Sequence, residues 1–134
     1  MPCRSVLIVD DSHIVRKVMR QFFERLTDWK ITEAQDGADA ILKANEEKPD
    51  LILMDFSMPN MNGIEAASVL KRMMPDVLII VFTMFDGALG PRLSSAAGVD
   101  LVVPKAEGLN GLAKAVQHFL GYSRLFEGNA RTDH

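Results

Sequence analysis

The chain predicts a doubly wound α/β domain: a five-stranded parallel sheet with five helices. Three observations carry that prediction. Apolar runs alternate with amphipathic stretches along nearly the whole sequence. Four of the five runs are almost continuously apolar, as strands covered on both faces must be. Acids stand at the ends of two of them, Asp10-Asp11 after the first and Asp55 after the third. Strand–helix units of this length join by right-handed crossovers, and the most economical strand order is 2-1-3-4-5.

The elements follow in order. The first strand is Val6, Leu7, Ile8 and Val9. A helix over 12–27 places Val15, Val18, Met19, Phe22 and Leu26 on one face of a 3.6-residue period, with Asp11 or Ser12 as its cap. The second strand, 31–35, carries Thr32, Glu33 and Gln35 and reads as a sheet edge. A helix over 38–45 follows Asp36-Gly37 and ends before Pro49. The third strand is 51–54. Its helix, 64–74, starts after Gly63 and stops at Pro75, which disfavours helix in the residue before it. The fourth strand is 77–83. The helix near 88–97 is the weak one, because Gly87, Gly90 and Pro91 crowd its start. An interior glycine costs about 1 kcal/mol and an interior proline about 3. A short or mobile helix is expected there, with Pro91 in its first turn. The fifth strand is 101–103, and the last helix buries Leu109, Leu112, Val116, Phe119 and Leu120. One domain is expected over 5–124, followed by a disordered tail over 125–134.

Composition narrows the function. The 134 residues suffice for one real core and not for two comfortable ones. A net charge of −3 offers no basic stripe for nucleic acid. The single cysteine, Cys3, excludes an internal disulfide and fits a reducing compartment. No secretory signal is evident at the start, and no stretch approaches the roughly 20 apolar residues of a membrane helix. A cytoplasmic location is expected, with no membrane and no direct nucleic-acid partner.

Ligands in such sheets bind beyond the carboxyl ends of the strands, where the strand order reverses between the first and third. Asp10, Asp11 and Asp55 end those two strands. Neighbouring strands lie about 4.8 Å apart, so the three carboxylates can share one ion. Left alone they repel, by roughly 4 kcal/mol for two unit charges 4 Å apart at an effective dielectric near 20. A cation relieves this, and an open all-oxygen site suits Mg²⁺. Zinc does not fit, since Cys3, His13, His118 and His134 show no ligand spacing. Thr83 closes the adjacent fourth strand, within reach of a group on Asp55. Lys105 follows the fifth strand, roughly 10 Å from the third, a gap only a long side chain crosses. Its ammonium suits a phosphate as a point charge.

With Val9-Asp10-Asp11, Asp55 with Met58-Pro59 and Gly63, Thr83, Ala97-Gly98 and Lys105, the chain resembles the receiver domain of two-component response regulators. The likeness runs from about Ser5 to Leu120. It implies a flavodoxin-like fold and a phosphorylation switch. Asp55 would accept a phosphoryl group from a histidine kinase or histidine phosphotransfer protein. Asp10, Asp11, Asp55 and the Ser57 backbone carbonyl would hold Mg²⁺. Lys105 and Thr83 would contact the phosphoryl oxygens. The domain would not be an enzyme beyond its own phosphorylation and slow dephosphorylation, and would act on a downstream protein target. Phosphoryl transfer needs positioning and charge neutralisation above all, and a carboxylate is a reasonable acceptor.

Three positions depart from the commonest pattern. Met84 stands where a small residue is usual, and Val102 where an aromatic often swings inward. Ala106 replaces the proline that often carries a cis bond, and a cis Lys105–Ala106 bond would cost about 3–4 kcal/mol. The resemblance favours that bond; the residues alone do not. These changes point to altered output and lifetime. Thr83 and the segment 88–97 are the expected switch, acting by population shift. The 88–97 helix, the fifth strand and the last helix form a candidate homodimer face. The cluster Arg16, Lys17 and Arg20 reads as a solvated face. Rival readings are a receiver-like interaction module that is not phosphorylated, and a phosphatase with Asp55 as nucleophile. The latter lacks a second acid at Ser57.

Overall fold

The computed structural model describes residues 4–55, 63–83 and 98–119, apart from the side chains of Thr83, Ala106 and Phe119. The strands are β1 (Ser5–Val9), β2 (Lys30–Ala34), β3 (Leu51–Met54), β4 (Leu78–Thr83) and β5 (Leu101–Pro104). The described helices are α1 (His13–Leu26), α2 (Gly37–Glu47), α3 (Gly63–Met73) and α4 (Gly108–Phe119), with a 3₁₀ turn at Lys105–Glu107. All strand pairs are parallel, in the order β2-β1-β3-β4-β5. That is the predicted topology. The expected helix near 88–97 and the tail over 125–134 lie outside the described residues, as do Met84 and Ser57.

Strand residues alternate between two cores because successive side chains point to opposite faces. Leu7, Val9, Ile52, Met54, Ile79 and Val81 pack under α2 and α3, whose contact stripe is small: Ala40, Ala44, Ala66 and Ala67 with Leu70. Val6, Ile8, Leu51, Leu53, Ile80 and Phe82 pack on the other face under Met19 and Phe23 of α1 and Leu112, Ala115 and Val116 of α4. Both faces are covered, so the continuous apolar runs are accounted for. β2 is the edge: only Ala34 of its five residues is buried.

Ser12 caps α1, its Oγ accepting from the Val15 N–H at 3.2 Å. Asp36 caps α2 in the same way, accepting from the Asp39 N–H at 2.8 Å. α2 ends with Lys48 in the left-handed region, φ 51°, just before Pro49. No cis peptide bond occurs among the described residues.

Three expected core positions are corrected. Val18 and Leu26 of α1 and Leu109 of α4 are exposed, Leu26 at 52%. The α1 stripe centres on Met19 and Phe23 instead. Val18 lies one residue from Met19, about 100° around the helix, and Leu26 is in the last turn. Phe23, absent from the predicted face, is fully buried. Its ring meets Phe22 edge-on at 5.1 Å and stacks on Trp29 at 5.9 Å. Val18, Phe22, Leu26 and Leu109 line a groove of about 290 Å³ between α1 and α4.

Candidate functional site

The register places the chemistry at one edge. Val9 pairs with Met54, so the residues that follow them, Asp10 and Asp55, leave the sheet side by side. Asp55 N–H donates to the Val9 carbonyl at 3.1 Å, and Asp10 N–H to the Ala34 carbonyl at 3.1 Å. β2 thus holds the Asp10 backbone and β1 the Asp55 backbone through the last sheet-type bonds. Asp10 and Asp55 are buried, at 4% and 5% exposure, and Asp11 is exposed. One carboxylate oxygen from each of the three lies within 4.8 Å of the others.

Lys105 reaches this cluster from β5, across β4. Its Nζ lies 3.3 Å from Asp55 Oδ2 and 3.6 Å from Asp10 Oδ2. Pro104, the residue before it, pairs in register with Thr83 at the end of β4. The Thr83 backbone therefore ends at the same edge. The structure brings Asp10, Asp11, Asp55 and Lys105 together. The Ser57 carbonyl, predicted as a metal ligand, lies outside the described residues.

The electrostatics follow from burial. Desolvation pushes the Asp10 carboxyl above its ordinary value of 3.8, and the charges of Asp55 and Asp11 act the same way. The Ser12 N–H, which donates to Asp10 Oδ1 at 2.9 Å, and the Lys105 ammonium oppose the rise. A second cation in the cluster would complete the neutralisation. The donor set is three carboxylates with no sulfur or imidazole among them, a hard oxygen site that fits Mg²⁺ and not zinc.

Of the basic cluster on α1, Lys17 is exposed as expected, but Arg16 and Arg20 are partly buried and engaged. Glu33 of the edge strand receives Arg16 Nε at 3.1 Å and Arg20 Nε at 2.6 Å. Burial raises the Glu33 carboxyl, but the hydrogen bonds and charges of Arg20 and Arg16 outweigh it and hold the group below its ordinary 4.5. Only part of this pairing could be read from the sequence. Glu33 shares a strand face with Ile31, which packs toward α1, and Arg16 and Arg20 are four residues apart on that helix. Val102, at the position where an aromatic often stands, packs half-buried against the core under α2 and α3.

Comparison with known proteins agrees with this geometry. The family model described as response regulator receiver domain matches residues 6–117. The response regulator protein VraR of Staphylococcus saprophyticus is 35% identical over 130 residues, 95% of this chain and 61% of its own. The chain thus spans about three fifths of the length of the curated relatives it matches. A two-component response regulator of the LuxR family from Aurantimonas sp. SI85-9A1 superposes with a TM-score of 0.82 at 29% identity, covering 90% of this chain and 86% of that one. The response regulator protein TrrA of Thermotoga maritima, solved in complex with Mg(2+)-BeF, superposes with a TM-score of 0.78 at 25% identity over 87% of this chain and 99% of its own.

Proposed function

Because this chain belongs to the response regulator receiver domain family, we propose that it is a phosphorylation switch with Asp55 as the phosphoacceptor. An Asp55 carboxylate oxygen attacks the phosphorus of a phosphohistidine on a histidine kinase or histidine phosphotransfer protein. The O–P bond forms as the N–P bond breaks, and the electron pair stays on the imidazole. Lys105 pairs with the phosphoryl oxygens, and Thr83 donates a hydrogen bond to one of them. Mg²⁺, bound by Asp10, Asp11, Asp55 and the Ser57 carbonyl, would neutralise charge on the transferred group. Water later returns Asp55 to its free form, so the domain turns over only its own phosphate.

The observation that carries this reading is the placement of Lys105. An ammonium two strands away from Asp55 has its Nζ 3.3 Å from that carboxylate and 3.6 Å from Asp10. A merely structural lysine after β5 has no need to span the sheet edge. TrrA, whose structure was solved with Mg(2+)-BeF, supports the metal assignment by likeness of fold.

The output is a contact with a downstream protein, in a cytoplasmic signalling pathway. β5 and α4, together with the segment 88–97, are the proposed homodimer face. Among the described residues no helix is long and apolar enough to cross a membrane.

The test is intact-mass measurement after incubation with Mg²⁺ and a small acyl phosphate donor. The reading expects one phosphoryl adduct on the wild type and none on Asp55→Asn. No adduct and no Mg²⁺ affinity would assign the unphosphorylated interaction module instead.

A further inference from the structure

Arg16 does more than pair with Glu33. Its Nη1 donates to the Asp10 backbone carbonyl at 2.7 Å, while its Nε donates to Glu33 Oε1 at 3.1 Å. One guanidinium therefore ties the loop that carries two of the three acids to the edge strand. Glu33 is itself fixed from a second side. Arg20 Nε donates to Glu33 Oε2 at 2.6 Å, and Arg20 Nη2 donates to the Ile31 carbonyl at 3.2 Å.

The consequence lies in the peptide between Asp10 and Asp11. Peptide units are planar, so a carbonyl held by Arg16 fixes the N–H on its far side and the direction in which the chain enters Asp11. The peptide before Asp10 is held by the N–H bond to the Ala34 carbonyl, and the Asp10 side chain by the Ser12 N–H. Both peptide planes around Asp10 are thus restrained. Asp11 is exposed, so its orientation depends on the backbone behind it more than on packing around it.

We infer that Arg16, aimed by Glu33, is a positioning residue that sets the Asp10–Asp11 peptide so that both carboxylates face one divalent cation. The inference rests on the receiver reading, in which Asp10 and Asp11 share Mg²⁺. Arg16 does not touch the ion. It acts through the carbonyl, as outer-shell partners of metal ligands do. Arginine suits the role because its rigid fork addresses two acceptors at once, which a lysine cannot do.

The experiment measures Mg²⁺ affinity of the full chain by calorimetric titration, beside thermal unfolding without metal. Arg16→Met keeps the stem and removes the donors, and a loss of about tenfold in affinity is expected, the lower end for an outer-shell partner. Arg16→Lys recovers part of the loss. Glu33→Gln weakens affinity in the same direction, and Arg16→Met with Glu33→Gln is no weaker than Arg16→Met alone. Faster hydrogen exchange at the Asp11 amide accompanies the loss. Should Arg16→Met unfold, Arg16→Lys and Glu33→Gln carry the test. Lower thermal stability with unchanged Mg²⁺ affinity in these variants overturns the inference and leaves the receiver reading standing. A wild type that binds no Mg²⁺ overturns both.

Discussion

Replacing Lys105 by methionine keeps the aliphatic stem and removes the ammonium from between two buried acids. At an effective dielectric near 20, a unit charge 3.3 Å from Asp55 Oδ2 and 3.6 Å from Asp10 Oδ2 attracts them by about 5 and about 4.6 kcal/mol. Those full values are not lost. Lys105 is 20% exposed, which screens the pairs, and Asp10 escapes by taking up a proton. From its ordinary 3.8, neutralising that carboxyl at pH 7 costs at most about 4.4 kcal/mol, and burial has already reduced the cost. A net loss of about 2–3 kcal/mol follows, in line with removing one partner of a partly buried pair. For a chain of this size that is about 10 °C in Tm.

The pH dependence has a definite sign. Asp10 is raised in the folded state, first by burial, so its ionisation opposes folding. That cost is absent below about pH 3.8 and grows as pH rises through the folded value. Without Lys105 the folded value rises further. The part of the Lys105→Met deficit that comes from Asp10 should therefore vanish near pH 3 and be full at pH 7. Mg²⁺ should then stabilise the variant more than the wild type, since no ammonium competes for the cluster. Urea unfolding at pH 3, 5 and 7, with and without Mg²⁺, reads all of this. Equal stability of the two proteins at pH 7, or a deficit independent of pH, refutes the reasoning.

Phe23→Ala should cost about 3–5 kcal/mol, because Phe23 is fully buried against Phe22 and Trp29; chemical denaturation followed by Trp29 fluorescence measures it, and a loss under 1 kcal/mol would contradict the packing. Gly98→Ala should cost about 1–2 kcal/mol. Gly98 holds φ +72°, and an added Cβ would also press on Lys71 Cγ at 3.3 Å; an unchanged urea midpoint would argue against the turn. Glu33→Gln should cost about 1–2 kcal/mol at pH 7. The folded Glu33 value is lowered, so its contribution is complete above about pH 4.5 and fades as pH falls through that lowered value. Wild type and variant unfolding curves should converge in acid.

The sheet was legible because its strands carry two kinds of information at once. Continuous runs such as Leu51 to Met54 mark burial on both faces, and the acids at their ends mark the open edge. From strand order alone, Asp10, Asp11 and Asp55 had to meet, and Lys105 had to be the long residue. The misses share one cause. Helix faces are set by the angle at which the helix lies on the sheet, which the sequence states only coarsely. Phe22 and Phe23 differ by one residue and about 100°, and the pattern took Phe22, which packs partly buried against the core, while passing over the fully buried Phe23. Val18 and Leu109 looked like core for the same reason. Arg16 and Arg20 were read as solvated because a helical basic run usually is. Their partner, Glu33, sits on a different element, and only the sheet register makes it a neighbour.

The central claim is that Asp55 carries the phosphoryl group. After treatment with Mg²⁺ and the acyl phosphate donor, borohydride reduction would convert an aspartyl phosphate to homoserine, which peptide mapping can locate. The account predicts homoserine at position 55 and nowhere else, dependent on Mg²⁺. Reduction product at Asp10 or Asp11, or a phosphoryl adduct that persists in Asp55→Asn, would contradict it.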